Sequence, residues 1–334
     1  MSRAAVVFPG RGSVTPASLG SLPPRHAWVE RADELRSELD LPSLASLSAA
    51  GSFDPPVHLR PSNAWPLVFL AGLLDAERIA EDHEAVVVTG SSTGWYTALA
   101  ATGTLAFEDA LRLVHRTALA AEAPLGDEAA PAELVYPLAD EAWRVDPERE
   151  ERVVAALDGA DRPAHLSLDL GAYAVMGGTS AAIDAVAAAL DPVDLAGRTY
   201  PLRLPGADAW HTPLRAAAAR AAAAELADLA WSPPSVTLVD GSGRRHTPFS
   251  ADPAELARYT IEVFPTAGYD LATAVRVALR EHAPDVLLVP GPSGSLGAAC
   301  AHLVVAEGYR GIRSRADFEA AQRSATPILL SMRR

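Results

Sequence analysis

Between Val86 and Tyr96 the chain passes from an apolar β-branched run, Val86-Val87-Val88, through Gly90-Ser91-Ser92-Thr93-Gly94 and into a helical pattern that opens at Trp95. A strand that turns into a helix over so few residues puts the central serine on a strained bend, and the flanking glycines remove the Cβ atoms that would collide there. Gly-x-Ser-x-Gly in that setting is a nucleophile elbow, with the Ser92 hydroxyl held out of the turn. The helix N-terminus behind it supplies oriented N–H groups, and that of Thr93 is placed to donate to an oxyanion. The pentapeptide alone also fits a Gly/Ser-rich turn without chemistry, so the rest of the chain has to decide.

Ala4 to Phe8 reads as a buried strand that Pro9-Gly10 ends in a tight loop. Segment 61–82 reads as a helix, with Pro66 admissible in its first turn and Leu67, Leu70, Leu73 and Leu74 on one face. Beyond a composition change near Ala121 to Pro131, the pattern gives strand Leu134–Leu138, helix Pro147–Leu157, strands His165–Leu170 and Ala172–Gly177, helix Ser180–Leu190 and strand Arg198–Leu204. This β-α-β-β-α-β order is the ferredoxin-like split motif. An Ala-rich helix from Pro213 to about Leu229, a strand at Val236–Val239, a helix over Tyr269–Glu281 and a strand at Val286–Val289 then resume the earlier pattern. The expectation is an α/β fold: a main domain with a parallel sheet from residues 1–125 and 206–334, and an inserted ferredoxin-like subdomain over 126–205.

Composition removes whole classes of function. All 28 basic residues are arginines, which excludes Schiff bases, pyridoxal-phosphate attachment and the Gly-Lys-Ser/Thr phosphate loop. A formal net charge of −14 without a dense basic tract argues against nucleic acid as a partner. The single cysteine, Cys300, forms neither an internal disulfide nor a thiolate metal site, so no metal and a reducing, cytoplasmic compartment are expected. No stretch approaches the roughly 18 apolar residues of a membrane helix. The apolar run Ala4–Phe8 is too short for a signal sequence. A monomer without a membrane partner is expected.

A serine nucleophile needs a base, and nine histidines are available. His211, in Trp210-His211-Thr212-Pro213-Leu214, stands after an apolar strand and just before a helix start, where a loop could project it back to the main sheet. Spacing alone leaves the other eight open.

Taken together, these segments resemble the malonyl-CoA:acyl-carrier-protein transacylases and the acyltransferase domains of polyketide and fatty-acid synthases. Phe8-Pro9-Gly10-Arg11-Gly12-Ser13 is similar to that family's Phe-Pro-Gly-Gln-Gly-Ser, Gly90-Ser91-Ser92-Thr93-Gly94 to its Gly-His-Ser-x-Gly, Trp210-His211-Thr212-Pro213-Leu214 to its aromatic-His-Ser/Thr-Pro-Leu, and Gly291-Pro292 to its late Gly-Pro-Gly turn. Tyr96 to Val114 is similar over nearly its whole length, and order and spacing hold across the chain. The resemblance implies a hydrolase-like main domain with a ferredoxin-like insertion. It also implies a ping-pong mechanism: Ser92 takes an acyl group from a thioester and gives it to a phosphopantetheine thiol, His211 acts as base and then acid, and the N–H groups of Arg11 and Thr93 form the oxyanion hole. No tightly bound cofactor is implied. Acyl-CoA or an acyl-carrier thioester is the donor, and an acyl carrier protein is the partner.

Several positions depart from the family pattern, and all bear on the acyl pocket. Thr117 stands where malonyl- and methylmalonyl-using members resemble one another in a carboxylate-binding arginine. Arg116 is one residue early, a rotation of about 100° on a helix, so it either points off the site or returns through a small helix adjustment. Ser91 replaces the family's His, Trp95 an acidic or amide residue, and Trp65 a Gln before Pro66, while Glu262 falls near an expected Gln. Together with Trp210 these positions form the expected acyl-binding set, reshaped for a group other than malonyl. Arg11 in place of Gln puts a cation beside the oxyanion hole, either to bind a carboxylate or acyl chain, or simply as a solvent-facing loop residue. Carrier proteins are acidic, and Arg310, Arg313 and Arg315 are candidates for docking one, or ordinary solvated surface. Transfer, editing hydrolysis and a carrier-binding scaffold without turnover all remain compatible with the sequence.

Overall fold

The computed structural model describes residues 1–125, 129–160 and 163–332. A six-stranded sheet forms its larger half, in the order Arg245–His246, Thr237–Val239, His83–Gly90, Ser2–Phe8, Val286–Val289, Leu329–Ser331. Every pairing in it is parallel except that of the Arg245–His246 edge. The central strand Ser2–Phe8 is buried from Ala4 to Phe8, as a strand covered by helices on both faces must be. Its register carries Phe8 alongside Gly90, so the loop after the first strand and the turn after the second leave the same sheet end together. That is the end where α/β sheets place their sites.

The helix Pro61–Asp82 packs against this sheet end. Pro66 lies in its interior rather than in the first turn, because the helix begins five residues earlier, at Pro61. The missing N–H frees the Ser62 carbonyl, and the buried Arg36 guanidinium donates to it at 2.5 Å. The Ala-rich segment is shorter than its composition suggests: a 3-10 turn Pro213–Arg215 runs into a helix that stops at Glu225.

The second sheet has its own hydrophobic core, built on Leu134, Tyr136, Met176, Ile183 and Val186. Its strands lie in the order Tyr269–Asp270, Ala164–Asp169, Tyr173–Thr179, Pro131–Pro137, Leu202–Arg203. The last four, with helices Pro147–Asp158 and Ser180–Ala189, make the split β-α-β-β-α-β arrangement. Two details differ from expectation. The Arg198–Leu204 strand is interrupted at Pro201, so Arg198–Tyr200 pairs in a hairpin with Val193–Leu195 and only Leu202–Arg203 joins the sheet. The fifth strand, Tyr269–Asp270, comes from beyond residue 206 and pairs in parallel with Ala164–Asp169. The expected boundary residue 126 lies outside the described residues.

No helix among the described residues is long and apolar enough to cross a membrane, and no group of three His, Cys, Asp or Glu among them is arranged to hold a metal ion.

Candidate active site

Ser92 sits at the end of strand His83–Gly90 with φ of +51°, the left-handed strain that a nucleophile elbow requires. The turn closes only around glycine: a Cβ on Gly94 would stand 2.1 Å from the Phe8 carbonyl oxygen, and one on Gly90 2.2 Å from the Gly94 carbonyl. Ser91 anchors the bend, donating its N–H to the Phe8 carbonyl at 2.8 Å. The helix Gly94–Ala101 starts immediately behind, with Thr93 as its N-cap.

Ser92 Oγ lies 2.8 Å from His211 Nε2. His211 Nδ1 lies 2.7 Å from the Phe264 carbonyl oxygen. A carbonyl only accepts, so Nδ1 carries the proton and Nε2 is left with a lone pair facing the serine hydroxyl. Burial pushes the His211 pKa down to about 4, which keeps the ring neutral near pH 7. Its loop is contorted, with φ of +51° at Ala209 and +61° at His211. Thr212 Oγ1 bonds the Ala209 carbonyl at 2.7 Å, and Ser167 Oγ bonds the Trp210 carbonyl at 2.9 Å.

The acceptor carbonyl has a structural cause. Tyr259–Val263 forms a π-helical turn in which Phe264 N bonds Tyr259 O at 2.8 Å, and the end of a helix leaves its last carbonyls free. Phe264 also meets His211 edge-on at 4.5 Å. Glu262, the expected neighbour, is exposed and its carbonyl serves Thr266, so it is not at the site. The acceptor is instead the carbonyl of Phe264, two positions further along the chain.

A cavity of about 660 Å³ opens at Ser92 and His211 and runs between the two sheets, lined on one side by Gly10, Arg11 and Ser91 and on the other by Glu133, Val175 and Tyr173. Gly291, at φ of +111°, supports the Arg11 loop from below, since a Cβ there would stand 2.7 Å from the Pro9 ring. Its N–H bonds Asp75 Oδ2 at 2.9 Å.

The expected acyl-pocket residues divide. Ser91 and Arg11 line the cavity, while Trp65, Trp95, Trp210 and Thr117 are buried behind it. The tryptophans form a plug with Tyr96 and Phe264. Trp65 meets Trp210 edge-on at 5.3 Å, Tyr96 meets Phe264 at 5.3 Å, and Trp95 meets Tyr259 at 5.4 Å while donating to Thr260 Oγ1 at 3.0 Å. Thr117 turns its hydroxyl back to the Leu113 carbonyl at 2.6 Å. Arg116 faces outward and pairs with Glu225 at 3.0 Å, so the one-residue offset is not corrected by the helix. Arg11 is not a solvent-facing loop residue: its guanidinium contacts Glu133 at 2.5 Å and Asp208 at 3.3 Å. Neither acid was singled out from sequence, because their partner lies more than a hundred residues away in the chain.

Arg310 pairs with Asp285, and Arg315 pairs with Glu319 and lies over Trp143, so two of the three expected docking arginines already have acidic partners. Arg198, which was not among them, is exposed at the cavity rim and has no ion pair among the described residues.

No protein-family model and no curated protein matches the sequence. Among solved structures, a malonyl-CoA:acyl carrier protein transacylase from Xanthomonas oryzae pv. oryzae is 23% identical with a TM-score of 0.73, over 91% of this chain and 92% of that one. The acyltransferase domain from the second module of the salinomycin polyketide synthase is 20% identical with a TM-score of 0.72, over 100% of this chain and 69% of that one. A malonyl-transacylase in complex with a type II polyketide synthase acyl-carrier protein is 20% identical with a TM-score of 0.71, over 91% and 93%. This chain shares their fold, including the hydrolase-like parallel sheet and the smaller ferredoxin-like one.

Proposed function

We propose that the chain is an acyltransferase that carries an acyl group other than malonyl, as an ester of Ser92, to the phosphopantetheine thiol of an acyl carrier protein. The observation that carries the reading is the Ser92 Oγ to His211 Nε2 contact of 2.8 Å, with Nδ1 fixed on the Phe264 carbonyl. His211 Nε2 takes the hydroxyl proton as Ser92 Oγ attacks the thioester carbonyl. The N–H groups of Thr93 and Arg11, which have no backbone acceptor among the described residues, donate to the resulting oxyanion. Collapse breaks the C–S bond, and the departing sulfur receives the proton from His211, leaving acyl-Ser92. The carrier thiol then gives its proton to His211 and attacks the ester carbonyl; collapse breaks the bond between the acyl carbon and Ser92 Oγ, which takes the proton back from His211.

Selection against malonyl rests on charge. At the positions expected to bind a carboxylate no free cation faces the acyl site: Thr117 is buried against its own helix, Arg116 is paired with Glu225 on the surface, and Arg11 faces two acidic side chains. The bound group would meet Ser91, Val175 and the edge of the Glu133 strand instead.

The test is incubation with a panel of acyl-CoA and acyl-carrier thioesters, followed by intact mass. An adduct on Ser92 with neutral acyl donors, absent from Ser92→Ala, is expected. A malonyl adduct formed in preference would overturn the specificity, and free acid released without transfer would overturn the carrier as acceptor.

A further inference from the structure

Arg11, Glu133 and Asp208 meet in the wall of the Ser92 cavity, and each comes from a different segment: the loop after the first strand, the strand Pro131–Pro137 of the second sheet, and the loop that carries His211. Arg11 Nη2 lies 2.5 Å from Glu133 Oε2, its Nε 3.3 Å from Asp208 Oδ2, and its Nη1 donates to the Pro205 carbonyl at 2.9 Å. The second oxygen of each acid holds the His211 loop. Glu133 Oε1 accepts from the Ala209 N–H at 3.1 Å, and Asp208 Oδ1 from the Trp210 N–H at 2.9 Å. Arg215, also buried, donates from Nε to the Asp208 carbonyl at 2.5 Å.

These bonds fall where the backbone most needs them. Ala209 and His211 are both left-handed, and such residues persist only where their surroundings over-determine them. Glu133 bonds the first of the two directly. Through the guanidinium it also fixes the Arg11 loop, hence the direction of the Arg11 N–H. A cluster this buried is rigid only while complete, because removing one member leaves another charge uncompensated.

We infer that the Arg11–Glu133–Asp208 cluster is a clasp that holds the two halves of the catalytic apparatus in register, with Glu133 as its positioning residue. The inference rests on the acyl-transfer reading of Ser92 and His211. The second sheet, which supplies no reacting atom, thereby sets the distance between oxyanion donor and base. Loss of alignment by a fraction of an ångström lowers the rate of the chemical step more than it lowers binding.

Glu133→Gln keeps the shape and an acceptor for the Ala209 N–H but sets an amide NH2, which only donates, against Arg11 Nη2 in place of the accepting Oε2. It should lower kcat for acyl transfer about 10- to 100-fold with KM within about threefold. Hydrogen exchange in the full-length protein should rise in peptides covering 9–13 and 207–212 together. Arg11→Gln breaks the same contact from the other side, so the double variant should be no slower than the slower single one. Multiplying losses, or exchange that rises only within 131–137, would overturn the clasp. Should the wild-type protein form no Ser92 adduct with any donor, the acyl-transfer reading falls. Joint loosening of the two loops in Glu133→Gln would then still support the clasp, and its absence would overturn it. If Glu133→Gln does not fold, exchange in Arg11→Gln decides in its place.

Discussion

His211 gives its Nδ1 proton to the backbone carbonyl of Phe264 at 2.7 Å and to no carboxylate. A carbonyl orients the ring and fixes its tautomer but carries no full negative charge, so it and the more distant Asp208 offset only part of the cost of a buried imidazolium. Burial accordingly brings the His211 pKa down to about 4. The rate of Ser92 acylation should therefore stay level as pH falls from 7 through 6 and decline only as pH approaches about 4. Stopped intact-mass measurements across that range read it directly, and an acid limb near the ordinary histidine value would show that the ring is not buried as drawn. His211→Ala should lower the rate by about 10²–10⁴-fold.

The same burial sets acid stability. His115 and His211 are both held neutral, each pushed down to about 4, against an ordinary value of about 6.5. The unfolded chain takes up their protons first, so their contribution is complete above about pH 6.5 and is lost as pH falls toward 4. Each adds up to about 1.4 kcal/mol of slope per pH unit inside that window. Denaturant midpoints measured from pH 7 to 4.5 should fall steadily. In His115→Asn, whose side chain does not titrate there, the fall should be shallower.

Gly94 and Phe8 test the elbow. Because a Cβ on Gly94 meets the Phe8 carbonyl oxygen at 2.1 Å, Gly94→Ala has to separate the two central strands of the sheet at the serine. The variant should fail to accumulate as folded protein or melt far below the wild type, well beyond the 1–3 kcal/mol of ordinary overpacking. Gly51→Ala, where a Cβ would meet no atom within 4 Å, is the matched control and should melt like the wild type.

The parts of the site legible in the sequence are those in which one short segment makes its own geometry. The Gly90–Gly94 turn and the Trp210-His211-Thr212-Pro213 run carry their constraints in neighbouring residues. The Phe264 acceptor does not, since a free backbone carbonyl at the end of a π turn has no side-chain signature. Trp65 and Trp95 were legible as substitutions and Trp210 as the aromatic before His211, but none as part of a plug, because their positions on separate elements decide whether they line a cavity or fill it. Glu133 and Asp208 carry no local signal, because the Arg11 that meets both lies on a distant loop. The fold was legible for the same reason as the elbow: period and turn signals are local, while the parallel pairing of Tyr269–Asp270 with Ala164–Asp169 is not.

Thr117→Arg asks whether restoring one residue restores a carboxylate site. The Thr117 side chain faces the Tyr96 hydroxyl, which burial pushes well above its ordinary pKa, and Trp210 lies against the same phenol. A guanidinium placed there is overpacked by about 1–3 kcal/mol and unpaired in an apolar surround, which costs more again. Thr117→Arg alone should melt lower than the wild type and form no malonyl ester. A folded Thr117→Arg that takes malonyl from malonyl-CoA would show that the plug leaves open space.

Arg198 stands on the short hairpin at the cavity rim, exposed and without an ion pair among the described residues. On a chain of net charge −14, an unpaired cation beside the mouth of the Ser92 cavity is a place where an anionic substrate can arrive without repulsion. Every thioester donor in the proposed reaction carries phosphate on its pantetheine arm, and the arm has to thread this cavity to bring its carbonyl to Ser92. Charge at the rim acts on encounter and binding and touches no reacting atom. Arg198→Ala should therefore raise KM for both donor and carrier about fivefold, the equivalent of roughly 1 kcal/mol for one exposed charge contact, and leave kcat unchanged. The difference should shrink at high ionic strength, where exposed charges are screened. A fall in kcat with KM unchanged would instead mean that the Arg198 hairpin positions the catalytic groups.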